Sequence, residues 1–222
     1  MRLLPVIFVL LLSGCNDGSE NFAEKEYNVY FLGNSITRSS PNEEFGWYGN
    51  WGMAATSAEN DYVHKLIAKM EKEYKDRLKI NYGIKNISNW EVDFFAELDP
   101  LEMNEIDLLI IRLGENVNEE YAKNNNYYAA LDKMIKKFKG NNTKVIITDT
   151  YWISAYKDHT QKKVAIDNYY YFVQINDLYQ YPENSAFGQF EHYGVSMHPS
   201  DTGMEKIAQK IFECIIRNRI IE

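Results

Sequence analysis

Cysteine is scarce in this chain of 222 residues, which contains only Cys15 and Cys214. A framework of several disulfides and a zinc site built from clustered cysteines are therefore excluded. The chain also has only four histidines, and these do not recur with carboxylates at the spacings of metal-ligand motifs. We therefore expect no metal site and no other cofactor.

Positive charge is also in short supply. The chain has 24 Lys and Arg residues against 32 Asp and Glu residues, a formal net charge of −8, and no basic cluster stands out. A nucleic-acid partner is therefore not expected, because binding to phosphate backbones needs a basic surface. Hydrophobic residues make up 45% of the chain, which is enough for the core of one globular domain.

A hydrophobic run long enough to cross a membrane is missing. Residues 3–12 are apolar apart from Pro5 and follow Arg2, which is the layout of a signal peptide over residues 1–14. The sequence Leu-Ser-Gly-Cys at residues 12–15 resembles the bacterial lipobox, in which the cysteine becomes lipidated. This resemblance implies a lipid anchor at Cys15, a tether over residues 15–26 and a place in the bacterial cell envelope, on its periplasmic face or at the cell surface. The alternative is an ordinary signal peptide with an incidental cysteine.

Strand and helix patterns alternate along the rest of the chain. Apolar runs predict five strands, at residues 29–32, 78–84, 106–113, 144–148 and 170–175. Helical spacing of apolar residues predicts helices at 58–74, 90–98, 121–139, 160–167 and 202–217, the last of which would bury Cys214. This alternation indicates one domain over residues 27–222, an α/β fold with a mainly parallel five-stranded sheet covered on both faces.

Three polar segments interrupt this pattern. Gly-Asn-Ser at 33–35 ends the first predicted strand, Gly-Glu-Asn at 114–116 ends the third, and His-Pro-Ser-Asp-Thr-Gly at 198–203 precedes the last helix. Parallel strands place their carboxyl ends on the same edge of a sheet, where open α/β sheets bind ligands. We therefore expect Ser35, Asn116 and His198 to converge there.

These segments resemble the three sequence blocks of the SGNH hydrolases, the broad GDSL-like esterase superfamily. The resemblance covers about residues 27–216 and implies the SGNH/flavodoxin-like fold, a three-layer α/β/α sandwich, with acyl transfer through a covalent intermediate. Ser35 would be the nucleophile and His198 its base. The Ser35 N–H and the Asn116 side-chain amide would bind the oxyanion.

Two departures from the family pattern concern the oxyanion site. Asn34 stands where the family usually has aspartate, and the segment 86–90 lacks the glycine that usually supplies a further N–H donor. The backbone N–H of Ser88 or Asn89 would have to replace it. Asn34, Gly114, Ser88 and Asn89 are therefore grouped as candidate oxyanion or binding residues.

A third departure concerns the acid that usually lies three residues before the catalytic histidine, because Val195 occupies that position. Glu191 is one alternative, and Asp201 is another, although helix capping suits Asp201 better. The third alternative is a backbone carbonyl that holds the ring of His198 in a Ser–His dyad. We favour the dyad, with Glu191 second.

The resemblance and the aromatic loops predict an esterase for a small-molecule or carbohydrate ester, such as a carbohydrate acetyl ester. Trp47, Trp51 and Trp152 would form stacking surfaces for sugar rings. Because loss of the acid lowers turnover, a catalytically weakened or inactive binding lipoprotein is the alternative. A phosphodiester or thioester hydrolase is a third alternative, and the sequence gives no prediction of the oligomeric state.

Overall fold

A five-stranded parallel sheet forms the centre of the domain in the computed structural model, which describes residues 25–103 and 105–222. The predicted signal peptide and the lipidation site Cys15 lie outside the described residues. The strands are β1 Lys25–Gly33, β2 Leu78–Asn86, β3 Leu108–Arg112, β4 Lys144–Thr148 and β5 Tyr171–Val173.

The order of the strands across the sheet is β2-β1-β3-β4-β5, and every neighbouring pair is parallel. This is the flavodoxin-like order, and it confirms the predicted fold class. The chain reverses its direction of progress across the sheet between β1 and β3, where such folds form a crevice at the carboxyl ends of the strands. At that edge Gly33, the last residue of β1, pairs with Asn86 of β2 and with Arg112 of β3.

Helices cover both faces of the sheet. They are α1 Tyr62–Tyr74, α2 Ser88–Val92, α3 Glu119–Asn124, α4 Tyr127–Phe138, α5 Ala155–Asp167, α6 Tyr193–Ser196 and α7 Asp201–Arg217. Helices α1 and α7 pack with alternate strand residues such as Val29 and Phe31, whereas α2 to α5 pack with Tyr30 and Leu32 on the other face. Burial of both faces explains the nearly continuous apolar runs of β1 and β3.

Some boundaries differ from those predicted. The single helix predicted at 121–139 is two helices, because Asn126 adopts a left-handed conformation, with φ of 51°, and caps α4 through the Ala129 N–H. The first helix begins only at Tyr62, where Asp61 caps it. Strand β1 begins at Lys25, so it includes the last two residues of the predicted tether.

Cys214 is half-buried against the core formed by α1, α7 and the sheet, as its place on the apolar side of the last helix suggested. Among the described residues, no helix is both long enough and apolar enough to span a membrane.

Candidate active site

Ser35 lies on a tight turn directly after β1, at the carboxyl edge of the sheet. The N–H groups of Thr37 and Arg38 both donate to the carbonyl of Asn34, at 2.9 and 3.0 Å. Gly33 is required here, since a Cβ atom at this position would lie 1.8 Å from Thr37 Oγ1. The turn leaves the Ser35 side chain half-buried at the head of the strand.

The imidazole of His198 reaches this serine from the other end of the chain. Its Nε2 lies 2.8 Å from Ser35 Oγ, and its Nδ1 lies 2.7 Å from the carbonyl oxygen of Gly194 in α6. A carbonyl can only accept a hydrogen bond, so a neutral imidazole must carry its proton on Nδ1. Nε2 is then the acceptor for the Ser35 hydroxyl, which is the arrangement a general base requires.

His198 is almost fully buried, with 8% of its surface exposed, and the ring of Trp152 packs against it edge-on at 5.4 Å. Burial lowers the pKa of His198 to about 4, against the effect of its hydrogen bond to Gly194 and with a further lowering by the charge of Arg112. The imidazole is therefore neutral at neutral pH and free to accept a proton.

Neither carboxylate considered from the sequence contacts His198. Glu191 is exposed, and no hydrogen bond joins it to His198 within the described part of the chain. Asp201 instead accepts from the N–H and hydroxyl of Thr56, at 2.9 and 2.6 Å. It does not cap α7 as expected, because Ser200 occupies that position. The geometry is that of a Ser–His dyad held by a backbone carbonyl.

Replacement of Glu191 by glutamine is therefore expected to leave kcat for an activated ester within about twofold of the unmodified protein, because the orienting bond of His198 goes to Gly194. Steady-state hydrolysis of p-nitrophenyl acetate measures this. A fall in kcat of two orders of magnitude or more would mean that Glu191 reaches His198 during turnover.

The oxyanion donors expected from the sequence follow three strands at the same edge of the sheet: Ser35 follows β1, Ser88 and Asn89 begin α2 after β2, and Asn116 follows β3. No acceptor within residues 25–103 and 105–222 is bonded to the Ser35 N–H. The exposed Asn116 amide uses one N–H for Glu91 Oε2, at 2.7 Å, and keeps a second. The Ser88 N–H is already bonded to Asn86 Oδ1 at 2.8 Å, whereas Asn89 has no such partner for its N–H in the described chain. Of the two replacements for the missing glycine, only Asn89 has an unused donor.

Asn34 and Gly114 are not placed as direct contacts for a substrate. Asn34 Nδ2 donates to Glu115 Oε2 at 2.6 Å and to Glu91 Oε1 at 3.2 Å, and its Oδ1 accepts from Arg112. The Gly114 N–H donates to Glu91 Oε1, in a left-handed backbone with φ of 117°. The prediction that these two residues bind substrate is therefore corrected, because their polar atoms are used inside the protein.

Beneath the serine lies a buried polar network of Asn34, Glu91, Arg112 and Glu115. Arg112 and Glu115 form an ion pair of 2.6 Å with both side chains almost completely buried. Glu115 Oε1 also accepts from the Tyr151 N–H at 2.7 Å, which ties the loops after β3 and β4 together. The described residues include no group of three His, Cys, Asp or Glu side chains that could hold a metal ion.

The three tryptophans proposed as stacking surfaces have different environments. Trp47 is 3% exposed and its indole N–H donates to the Ser39 carbonyl, so it has no face to offer a sugar. Trp51 is half-buried against Trp47 and bonded to the Ala55 carbonyl. Of the three tryptophans, only Trp152 contacts His198. The prediction that Trp47 stacks on a sugar is therefore wrong, because its ring is buried. Trp152 lies beside His198 and remains a candidate.

Glu91, Glu115 and the Gly194 carbonyl were not identified from the sequence. The sequence contained one indication of a buried acidic residue, which was Arg112. A charged residue in a strand buried on both faces requires a buried partner of opposite charge. Glu115 lies three residues further along and satisfies it. Glu91 carried no comparable signal, and a backbone carbonyl has no side-chain signature at all.

No protein-family model matches this sequence, and a search of curated proteins finds no match. Solved structures do match. A two-domain esterase active on acetylated mannans, co-crystallised with mannopentaose, superposes with a TM-score of 0.58 at 16% identity, over 88% of this chain and 50% of that one. An acetyl xylan esterase from Geobacillus stearothermophilus gives 0.52 at 20% identity, over 86% and 95%. The psychrotrophic esterase EstA from Pseudoalteromonas sp., in a structure inhibited by monoethylphosphonate, gives 0.55 at 15% identity, over 86% and 98%.

At these identities the similarity concerns the fold. The chain has the three-layer α/β/α architecture of these esterases, as its resemblance to the SGNH hydrolases predicted. It spans about half the length of the two-domain mannan esterase.

Proposed function

We propose that this protein is a serine ester hydrolase in which Ser35 is the nucleophile and His198 the general base. The observation that carries the proposal is the 2.8 Å contact between Ser35 Oγ and His198 Nε2, with Nδ1 committed to the Gly194 carbonyl. A hydroxyl is a weak nucleophile by itself, and this contact supplies the acceptor that activates it.

In the first half of the reaction, Ser35 Oγ attacks the ester carbonyl carbon as its proton passes to His198 Nε2. The negative charge on the former carbonyl oxygen is stabilised by the Ser35 N–H and the second N–H of Asn116, each donor being worth roughly 3 kcal/mol of barrier. The intermediate then collapses, and His198 gives the proton to the departing alcohol. In the second half, His198 takes a proton from water as the water oxygen attacks the acyl carbonyl carbon. The bond between that carbon and Ser35 Oγ then breaks, His198 returns the proton to Ser35 Oγ, and the carboxylic acid leaves.

The dyad also supports the second candidate, a weakened or inactive binding protein. The Gly194 carbonyl orients the ring but carries no charge to stabilise the imidazolium, and the low pKa of His198 makes that cation costly to form. In serine enzymes with an acid, disrupting that member lowers turnover by about 10⁴-fold. We therefore expect a slow enzyme, and absence of turnover would favour the binding role.

We further propose a carbohydrate acetyl ester as the substrate. Trp152 beside His198 offers an aromatic surface next to the reacting atoms, which suits a sugar ring. Solved esterases of this fold are described as active on acetylated mannans or as acetyl xylan esterases. Release of acetate from acetylated xylan and mannan oligosaccharides tests this, and hydrolysis of p-nitrophenyl acetate without such release would contradict it.

The nucleophile is tested by covalent labelling, which needs no knowledge of the substrate. A serine-directed ethyl phosphonate is expected to add one adduct to the intact protein, located on Ser35 by peptide mass spectrometry. The variant Ser35→Ala should take up no label, whereas Ser40→Ala, which alters an exposed serine of the following loop, should be labelled normally. Equal labelling of all three proteins, or an adduct elsewhere, would remove the assignment of Ser35.

Attachment to the bacterial cell envelope through Cys15 remains a proposal from the sequence. In bacteria expressing the full chain, we expect the protein in the membrane fraction with metabolically incorporated palmitate. Cys15→Ala should lose both the palmitate and the membrane association. Membrane association that is unchanged in Cys15→Ala would argue against a lipid anchor at this residue.

A further inference from the structure

We infer that Glu91 is a positioning residue of the oxyanion site, acting through the side-chain amide of Asn116. This inference rests on the hydrolase function proposed above. It assigns a role to a buried carboxylate that contacts neither Ser35 nor His198. Glu91 is fully buried and projects from α2, whereas the residues that it binds come from the loops after β1 and β3.

The contact with Asn116 fixes the direction of a donor. Glu91 Oε2 accepts from Asn116 Nδ2 at 2.7 Å. A side-chain amide is planar and its two N–H bonds diverge from one nitrogen, so binding one of them sets the direction of the other. Asn116 is exposed, and its second N–H has no acceptor within the described chain. Without Glu91 the amide would rotate freely at the surface, and the donor would have to be oriented during each reaction.

Three N–H groups converge on this carboxylate. Besides Asn116, Glu91 Oε1 accepts from Asn34 Nδ2 at 3.2 Å and from the Gly114 N–H. The ionised carboxylate accepts best from all three, because a protonated oxygen is a weaker acceptor and carries an O–H that needs an acceptor of its own. Since Oε1 already accepts from two donors, a proton on Oε2 weakens the bond that holds Asn116, which is the partner on the exposed side.

The groups that face Glu91 determine the pH at which it becomes protonated. Burial and the neighbouring charge of Glu115 raise the pKa of Glu91 to about 7, although its hydrogen bonds from Gly114, Asn116 and Asn34 oppose the increase. The Tyr127 hydroxyl from α4 also faces Glu91, while the Arg112 guanidinium from β3, Tyr62 and Tyr151 surround its neighbour Glu115. The pKa of His198 lies near 4, so the base itself stays neutral through this range.

The first test compares pH profiles of kcat for p-nitrophenyl acetate in the unmodified protein and in Asn116→Ala. The unmodified protein should lose about tenfold in kcat as the pH falls from about 8 to about 6, with a midpoint near the pKa of Glu91. In Asn116→Ala this loss should disappear, because the donor that Glu91 positions is gone.

Asp149 is the group most able to mimic this result, since burial raises its pKa to about 7 as well. It lies at the end of β4 and accepts from the N–H groups of Ile175 and Asn176, with no bond to Asn116. A loss of kcat at low pH that persists in Asn116→Ala would assign the titration to another group, such as Asp149, and would overturn the inference.

The second test is a double-mutant cycle with Glu91→Gln and Asn116→Ala. Glu91→Gln keeps the shape but turns an N–H₂ group towards one of the three donors, so we expect kcat to fall about 10- to 100-fold with KM within about twofold. In the Asn116→Ala background the same change should alter kcat by less than about twofold. The control Glu97→Gln, on a 90%-exposed side chain of the same segment, should have no effect.

Multiplicative effects of the two substitutions would show that Glu91 acts on structure generally and would overturn the inference. If Glu91→Gln does not fold, the comparison of pH profiles decides the question without it. Turnover that is equal in the unmodified protein and in Ser35→Ala would instead refute the hydrolase function, so the two failures are distinguishable.

Discussion

Replacement of Ser35 by alanine is expected to lower kcat for p-nitrophenyl acetate by about 10²-fold, since a site without the acid of a triad has already lost most of the triad's contribution and falls to the rate that oxyanion stabilisation and binding alone provide. The reason is that no other hydroxyl lies within hydrogen-bond reach of His198 Nε2 in the described part of the chain. Alanine removes only one oxygen from a half-buried position and leaves the backbone turn intact, so the unfolding free energy should change little.

A control variant and a burst experiment test the role of Ser35 specifically. Ser40→Ala provides a matched control, because it removes the same oxygen from an exposed serine five residues along the same loop. Rapid-mixing experiments on the unmodified protein should show a burst of p-nitrophenolate, as expected when the acyl-enzyme forms faster than it breaks down. A rate in Ser35→Ala within about tenfold of the unmodified rate would mean that His198 activates water directly, without a covalent intermediate.

The fold was predictable because its signals are local and repeated. The apolar runs of β1 and β3 and the helical stripe of α7 each bury a face, and alternation of such elements leaves few topologies. The break between α3 and α4 was missed because it depends on one residue, Asn126, in a left-handed conformation within an otherwise helical pattern.

The contact between Ser35 and His198 was predictable for a different reason. The ends of parallel strands share one edge of the sheet, so Ser35 after β1 and His198 before α7 could be brought together from topology and the family resemblance. The rest of the site follows from contacts that leave no pattern in the chain. Gly194 contributes only a carbonyl, and Glu91 meets Asn116 across 25 residues.

The same network explains why asparagine stands at position 34, where the SGNH hydrolases that the sequence resembles usually have aspartate. Asn34 donates to two carboxylates, Glu115 and Glu91, and accepts from the single guanidinium of Arg112. An amide can do both at once, whereas a carboxylate can only accept. An aspartate here would be a third carboxylate around one buried arginine, in a place with little water to screen the repulsion.

Asn34→Asp is therefore expected to lower the free energy of unfolding by about 3 kcal/mol near pH 8, in the range measured when a buried charge loses its compensation. The sign of its pH dependence follows from the neighbours. Repulsion by Glu115 and Glu91 raises the pKa of the introduced carboxyl in the folded state above its value of about 4 in the unfolded chain. The folded state consequently holds that proton to higher pH, so the penalty is absent below about pH 4 and grows as the pH rises through the folded-state pKa.

Urea unfolding of the unmodified protein and of Asn34→Asp at a series of pH values measures this penalty, with Asn141→Asp as the control for the same change of charge on an exposed asparagine. Since Ser35 follows Asn34 directly, kcat of Asn34→Asp relative to that of the unmodified protein at the same pH should be lowest at high pH and should rise as the pH is lowered towards 6. A penalty no larger than that of Asn141→Asp, or one that grows as the pH falls, would mean that the buried carboxylates are already protonated or have moved apart. In that case the hydrogen bonds of Asn34, and not the balance of charge, would determine the residue at this position.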